Sequence, residues 1–327
     1  MQRSLEKNME SLTYVTSLAD LHEHIQRNEP CLYRVPQDSR LPCQIKWTKD
    51  YLAQAIGHKE ITARKSSSRK YIDPSESFCS LVRAMLVYKI TMKEFLNEGV
   101  ARGMVISGTD TYLFHDGMPD PSWATVWADA KGLIDSNPPN DSFSFLTEDS
   151  LRTTGLWISG KGIKSILHYD DSGDNNLNFQ IRGTKRIVMF PPTDWPKLKT
   201  LMALSLHDLD VYGQLIDEPE KTLSSESLEG THPTTALLQE NDVLYIPSRW
   251  YHYVKHEGDF NVNLTCWFKR EALRGSSTPG NAIPIPRRSC SDHRVVIKLV
   301  SIFALATLLN FLRRFTGMNS ISKRDSR

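Results

Sequence analysis

Between Thr111 and Phe268 the chain is cut into short runs of β-branched and aromatic residues, each closed by a turn signal. The runs fall at residues 111–114, 155–159, 163–169, 176–182, 185–190, 243–246, 251–255 and 261–268. Short strands at this spacing build an all-β sandwich or barrel rather than βαβ units. Pro191-Pro192 ends one run, and the stretch from Thr193 to Met202 reads as a short helix. Asp208 to Pro233 is acidic, serine-rich and loop-like.

The first third mixes helix and strand. Leu18, Leu21 and Ile25 have helical spacing within residues 17–27, and residues 31–35 read as a short strand. Residues 47–56 read as a helix stopped by Gly57. Thr91 and Glu94 form a capping-box pattern ahead of Phe95 and Leu96. The expected organisation is an N-terminal α/β flank over 1–110, a β-rich core over 111–270, a Pro/Gly-rich linker over 271–293, an apolar helix over 294–315 and a polar tail over 316–327.

At 327 residues, with 39% hydrophobic and 24% charged residues, the chain can bury a sizeable core without a disulfide or a structural metal. The formal net charge of +2 does not by itself indicate nucleic-acid binding. The local cluster Arg64, Lys65, Arg69 and Lys70 reads as a solvated loop. Five cysteines, Cys31, Cys43, Cys79, Cys266 and Cys290, contain no C-x-x-C pair. That pattern disfavours a disulfide framework or a zinc knuckle and favours a reducing compartment. The polar start of the chain, Met1 to Tyr14, has no secretory h-region.

Residues 295–312 are mostly apolar, with Lys298 near the start and Arg313 and Arg314 closing the run. Eighteen residues span about 27 Å as a helix, near the hydrocarbon thickness of a bilayer. One expectation is a transmembrane tail anchor that leaves the rest of the chain facing the cytoplasm on an intracellular membrane. The other is a buried helix, or one that pairs two copies into a homodimer.

His168 and Asp170 lie two apart in one of the strand-like runs, so both side chains point to the same face. His252 follows the apolar run Val243-Leu244-Tyr245-Ile246-Pro247, and a barrel can bring it to the first pair. Two imidazoles and one carboxylate are the facial triad of non-haem Fe(II) oxygenases. A structural zinc takes a closed four-ligand shell instead. Taken alone, H-x-D is equally a hydrogen-bonded pair on a polar strand face.

The surrounding sequence decides between these readings. The stretch LWISGKGIKSILHYDDSGDNNLNFQIRGTKRIVMFPP, followed by NDVLYIPSRWYHYV and NVNLTCWF, resembles the cupin-like JmjC hydroxylases. That group includes the factor-inhibiting-HIF asparaginyl hydroxylase and a tRNA wybutosine hydroxylase. The likeness is dense over residues 156–269 and thinner over 29–61.

The resemblance implies a mostly β chain with flanking helices, built on a double-stranded β-helix (jelly-roll). It implies Fe(II) on His168, Asp170 and His252, with 2-oxoglutarate and dioxygen as cosubstrates. It places Lys185 on the far carboxylate of 2-oxoglutarate, where a buried carboxylate needs a cation. Tyr112 and Ser165 match further donors to that carboxylate, Asn176 a residue near the iron and cosubstrate, and Thr265 a polar residue on the last strand. Trp250 and Trp267 read as core residues.

Three departures are visible, one of them Thr265 where the family has asparagine or serine on the last strand. The segment between Asp170 and Asn176 is longer than the family's, and Asn241 stands where the family's turn has glycine. Asparagine tolerates a left-handed turn, so the departure at Asn241 does no damage.

The expected activity is hydroxylation of a protein side chain. A tRNA nucleoside is the alternative substrate at the same iron site, and histone demethylation ranks below both. A membrane-tethered cupin module without turnover is the reading from another class.

Overall fold

The computed structural model describes residues 10–65, 87–108, 110–115, 117–133, 146, 150–165, 167–170, 173–198, 229–269, 304, 305 and 308. Fifteen strands and a few helices make up the described part. In chain order these begin with β1 (Glu10–Ser11), β2 (Tyr14–Val15), helix α1 (Leu18–Arg27), β3 (Cys31–Arg34), α2 (Pro42–Lys46) and α3 (Lys49–Ile56). There follow β4 (Glu60–Lys65), β5 (Val87–Thr91), β6 (Met104–Val105), β7 (Tyr112–His115) and β8 (Met118–Pro119). The last seven are β9 (Leu151–Ser159), β10 (Asn175–Arg182), β11 (Lys185–Phe190), β12 (Thr234–Leu238), β13 (Asp242–Ile246), β14 (Tyr251–His256) and β15 (Asn261–Phe268).

Local chemistry explains the helix limits. Ser17 caps α1 by accepting from the Asp20 amide, and Asn28 ends the helix in the left-handed region at φ 60°. Thr48 caps α3, and Gly57 follows its last residue. The Thr91–Glu94 capping box forms as the sequence predicts.

Two sheets enclose the site. The larger has the order β2-β3-β13-β10-β15-β9-β7-β8, and the smaller the order β1-β12-β11-β14. The residues leading to His168 lie beside β14, bridged to it at Lys164–Lys255 and His168–His252. The chain therefore passes repeatedly between the sheets: β9 in the larger, Lys164 and His168 bridged to the smaller, β10 back in the larger, then β11 and β12 in the smaller. Asn241, at φ 71°, makes the left-handed turn into β13, as the asparagine there predicts. The next residue, Asp242, is buried and accepts from Arg34 on β3 at 3.0 Å.

Strand alternation sorts the side chains. On β10, β13 and β15, Leu177, Phe179, Val243, Tyr245, Leu264 and Cys266 point outward. They join Leu21, Ile25, Leu52 and Ile56 of α1 and α3 in one large core. The intervening residues Asn176, Asn178, Asn263, Thr265 and Trp267 point inward and line a cavity. A second apolar cluster, with Leu32, Ile187, Met189, Leu238, Leu244 and Ile246, sits between the sheets. A third, with Val188, Phe190, Tyr251 and Tyr253, covers the outer face of the smaller sheet. The larger sheet is thus held mainly from outside, by the N-terminal flank.

That flank is tied down by Asp129 on the helix Ala124–Ala130, only 4% exposed. Its carboxylate accepts from Lys46 Nζ at 2.7 Å, from Trp47 Nε1 at 3.2 Å, and from the Tyr51 hydroxyl.

Several expectations are corrected. No helix among the described residues is long and apolar enough to cross a membrane, which overturns the expected transmembrane helix. Within 295–312 only Ala304, Leu305 and Leu308 are described, all helical, and the rest of that segment lies outside the described residues, as do the linker and the polar tail. Arg64 and Lys65 end strand β4 instead of lying in a loop, and Arg64 is paired with Asp110 at 2.6 Å; Arg69 and Lys70 lie outside the described residues. The run at 163–169 pairs through isolated bridges rather than a continuous ladder. The three-stranded sheet β5-β4-β6 and strand β12 were not anticipated by periodicity.

Candidate metal centre

Residues His168 and His252 face each other across the edge of the smaller sheet. Each donates its backbone N–H to the other's carbonyl, at 3.1 and 2.7 Å. Their rings lie 4.3 Å apart between centroids. Asp170, two residues beyond His168, brings Oδ1 to 4.0 Å from His168 Nε2 and 3.9 Å from His252 Nε2. One donor atom from each of the three lies within 4.8 Å of the others, a spacing that one ion can close.

The surroundings fix His252 and Asp170. His252 is 5% exposed, and its Nδ1 lies 3.1 Å from the Trp250 carbonyl. A carbonyl only accepts, so Nδ1 carries the proton and Nε2 keeps its lone pair for a metal. Burial first, then the neighbouring His168, pushes the His252 pKa down to about 4, keeping the ring neutral as a ligand must be. Burial alone would raise the Asp170 carboxyl, but the imidazoles of His252 and His168 outweigh it. Hydrogen bonds from Asn176 and Trp267 add to their effect, and the net shift is downward. Asn176 Nδ2 and Trp267 Nε1 donate to Asp170 Oδ2 at 2.8 and 2.9 Å, leaving Oδ1 facing the histidines.

Behind the triad the cavity is polar. Lys185, 2% exposed, reaches the Asn178 side-chain oxygen, which also accepts from Asn263 Nδ2 at 2.6 Å. Thr265 Oγ1 accepts from Asn178 Nδ2 at 3.1 Å and donates to Asn263 Oδ1 at 3.0 Å. No carboxylate among the described residues pairs with Lys185, and burial pushes its pKa down to about 7. Ser165 lines the cavity and accepts from the Val254 amide at 2.9 Å.

The expected residues His168, Asp170, His252, Ser165, Asn176, Lys185 and Thr265 therefore share one cavity. Tyr112 lies partly buried on β7, the register partner of Gly155, with its ring stacked on His115 at 5.0 Å between centroids. Trp267, read as core, instead lines the cavity and holds Asp170. Its signal was the inward parity it shares with Thr265 on β15. Asn178, Asn263 and His256 also line the cavity without having been singled out.

The placement of Asn176 is clear beside its neighbours. Asn175 points the other way, with Oδ1 accepting from the Tyr245 hydroxyl and the Ser248 amide at 3.1 Å each. Asn178 belongs to the lysine.

A family model described as a cupin-like domain matches residues 17–273, most of the chain. The chain belongs to the JmjC/cupin-like family. This cupin-like protein is 27% identical to tRNA wybutosine-synthesizing protein 4 of Aspergillus fumigatus over 249 residues, 70% of this chain and 22% of the relative. It is 27% identical to human HSPB1-associated protein 1 over 236 residues, 69% of this chain and 45% of the relative. It is 27% identical to chicken tRNA wybutosine-synthesizing protein 5 over 288 residues, 84% of this chain and 82% of the relative. The first two relatives are thus matched over less than half their length.

Proposed function

We propose that this cupin-like chain is an Fe(II)- and 2-oxoglutarate-dependent oxygenase that hydroxylates a C–H bond. We read its strand wiring as the double-stranded β-helix. The observation that carries the function is the convergence of His168, Asp170 and His252 at one end of a cavity whose other end holds the carboxylate-free cation Lys185.

The residues fit both groups. Two neutral imidazoles and a carboxylate suit Fe(II) and leave coordination positions open. The second atom of the Asn176 amide, Oδ1, is buried without a protein partner, a polar atom left for whatever sits at the centre. Lys185 is a buried cation that asks for an anion, and the far carboxylate of 2-oxoglutarate supplies one.

When bound, iron with 2-oxoglutarate and dioxygen supplies the oxidising power, giving hydroxylated substrate, succinate and carbon dioxide. The protein's part is positional. Asn176 and Trp267 hold Asp170 in one orientation, and the Trp250 carbonyl holds the His252 tautomer. Lys185 anchors the cosubstrate's far end, with Ser165 and Thr265 lining the space between. The inner faces of the two sheets wall that space on its sides.

The test is anaerobic titration of the full chain with Fe(II) and 2-oxoglutarate, read as the visible charge-transfer band of an iron-bound keto acid. The band is expected in the wild type, absent in His168→Ala and weakened in Lys185→Ala. A folded wild type without a band overturns the assignment and leaves a non-catalytic cupin module.

For the substrate, a tRNA nucleoside takes precedence over a protein side chain. The relative named for wybutosine synthesis in tRNA matches this chain over 82% of its own length, whereas the one named for association with HSPB1 matches over 45%. Hydroxylated nucleoside in tRNA after incubation with enzyme and cosubstrates would support this reading. Hydroxylation only in protein fractions would return the protein side chain to first place.

A further inference from the structure

At the far end of the cavity, Lys185 and His256 are register partners on the antiparallel strands β11 and β14. Directly opposite residues present their side chains side by side on the same face. Both line the cavity together with Asn178, Asn263, Thr265 and Ser165. His256 lies four residues beyond the metal-ligand candidate His252, and the alternation that turns His252 inward turns His256 inward too.

One ring nitrogen of His256 is already engaged. Its Nδ1 lies 2.7 Å from Ser159 Oγ on β9, and Ser159 is 1% exposed. That contact fixes the ring and leaves Nε2 as its atom for the cavity. Burial first, and the nearby Lys185 charge second, push the His256 pKa down to about 3, so the ring is neutral at any physiological pH. Nδ1 is close enough to accept from the Ser159 hydroxyl, and a bond in that direction puts the imidazole proton on Nε2.

A carboxylate at this end carries one charge and two oxygens. Lys185 supplies the one cation that neutralises it. A second buried cation would be uncompensated, whereas a neutral N–H donor satisfies the other oxygen without adding charge.

We infer that His256, oriented by Ser159, is a second binding residue for the far carboxylate of the cosubstrate, and with Lys185 makes the cavity selective for a dicarboxylic 2-oxo acid. This deepens the proposed function and rests on it.

The test measures binding rather than turnover. Full-length wild type, His256→Leu, His256→Gln and Ser159→Ala are titrated anaerobically with Fe(II) and either 2-oxoglutarate or 2-oxopentanoate, which has the same length but no far carboxylate. His256→Leu is expected to weaken 2-oxoglutarate about tenfold, the value of one hydrogen bond to a charged group, and to leave 2-oxopentanoate within about twofold. His256→Gln, which keeps a donor, is expected to recover most of the loss, and Ser159→Ala to show a smaller selective loss. Equal losses for both acids, or none, overturn the inference and leave His256 a packing residue. Should His256→Leu fail to fold, Ser159→Ala decides the same question by the same selectivity. A wild type that binds neither acid instead overturns the proposed function, and this inference with it.

Discussion

The indole of Trp267 donates to Asp170 Oδ2 at 2.9 Å, joining the last strand of the larger sheet to the carboxylate of the metal centre. The bond leaves one oxygen of Asp170 to face both histidines. Trp267→Phe keeps the ring and deletes the donor. Divalent-metal affinity, measured by calorimetric titration of the full chain, is expected to fall about 10- to 100-fold, the usual cost of losing a group that orients a ligand. Unchanged affinity would mean that Asn176 alone is enough to hold Asp170.

Lys185 sets a trade between binding and stability. Its folded pKa of about 7 lies below the ordinary 10.5. Between those values the unfolded chain binds the extra proton, so stability of the metal-free protein should rise with pH from about 7 to 10.5. The slope from this residue is at most about 1.4 kcal/mol per pH unit, and below pH 7 the full penalty is present. Lys185→Met should remove that dependence, raise the apo melting temperature at pH 7 and weaken 2-oxoglutarate binding. Parallel wild-type and variant melting curves across this range would count against a lysine that titrates on folding.

The same shift predicts proton uptake on binding. A carboxylate beside Lys185 restores the charged form, so above pH 7 the cosubstrate should bring a proton with it. Calorimetry at pH 8 in buffers of different ionisation enthalpy should give binding enthalpies that differ accordingly. Buffer-independent enthalpies would show that Lys185 is already charged in the free protein.

Backbone crowding near the cavity gives a separate prediction. A Cβ on Gly155 of β9 would meet the Gly108 carbonyl oxygen at 2.6 Å, and one on Gly108 would meet the Trp157 indole at 2.2 Å. The segment around Gly108 is thus pressed onto β9. Gly155→Ala should cost about 1–3 kcal/mol in chemical denaturation, the range for overpacking a closed site.

Away from the cavity, Asp129 holds three donors of the flank. Asp129→Ala leaves the Trp47 and Tyr51 donors unsatisfied, while the half-exposed Lys46 can turn to water, and should destabilise the chain by about 1–3 kcal/mol, the cost of stranding buried donors. Loss of under 1 kcal/mol, read by thermal or chemical denaturation, would show that the flank is held by apolar packing alone.

What could be seen in the sequence was what neighbours along the chain decide. His168 and Asp170 are two apart on one face, and the Asn241 turn and the Thr91–Glu94 box are local chemistry. Lys185 beside His256, and Trp267 against Asp170, depend on register between strands far apart in sequence, which no periodicity encodes. Strand β5 is half-buried at every position and so shows no alternation to read. Strand β12 follows a polar stretch that hides its start.

The larger sheet carries most of its apolar burial on the face turned away from the site, against α1 and α3. The wall is braced from behind, so Asn176, Asn178, Asn263 and Thr265 are free to be chosen for what they hold. Such a vessel can be relined for a different guest while its outer shell stays as it is. Trimming the N-terminal flank to isolate the barrel would instead take away the brace, and the vessel with it.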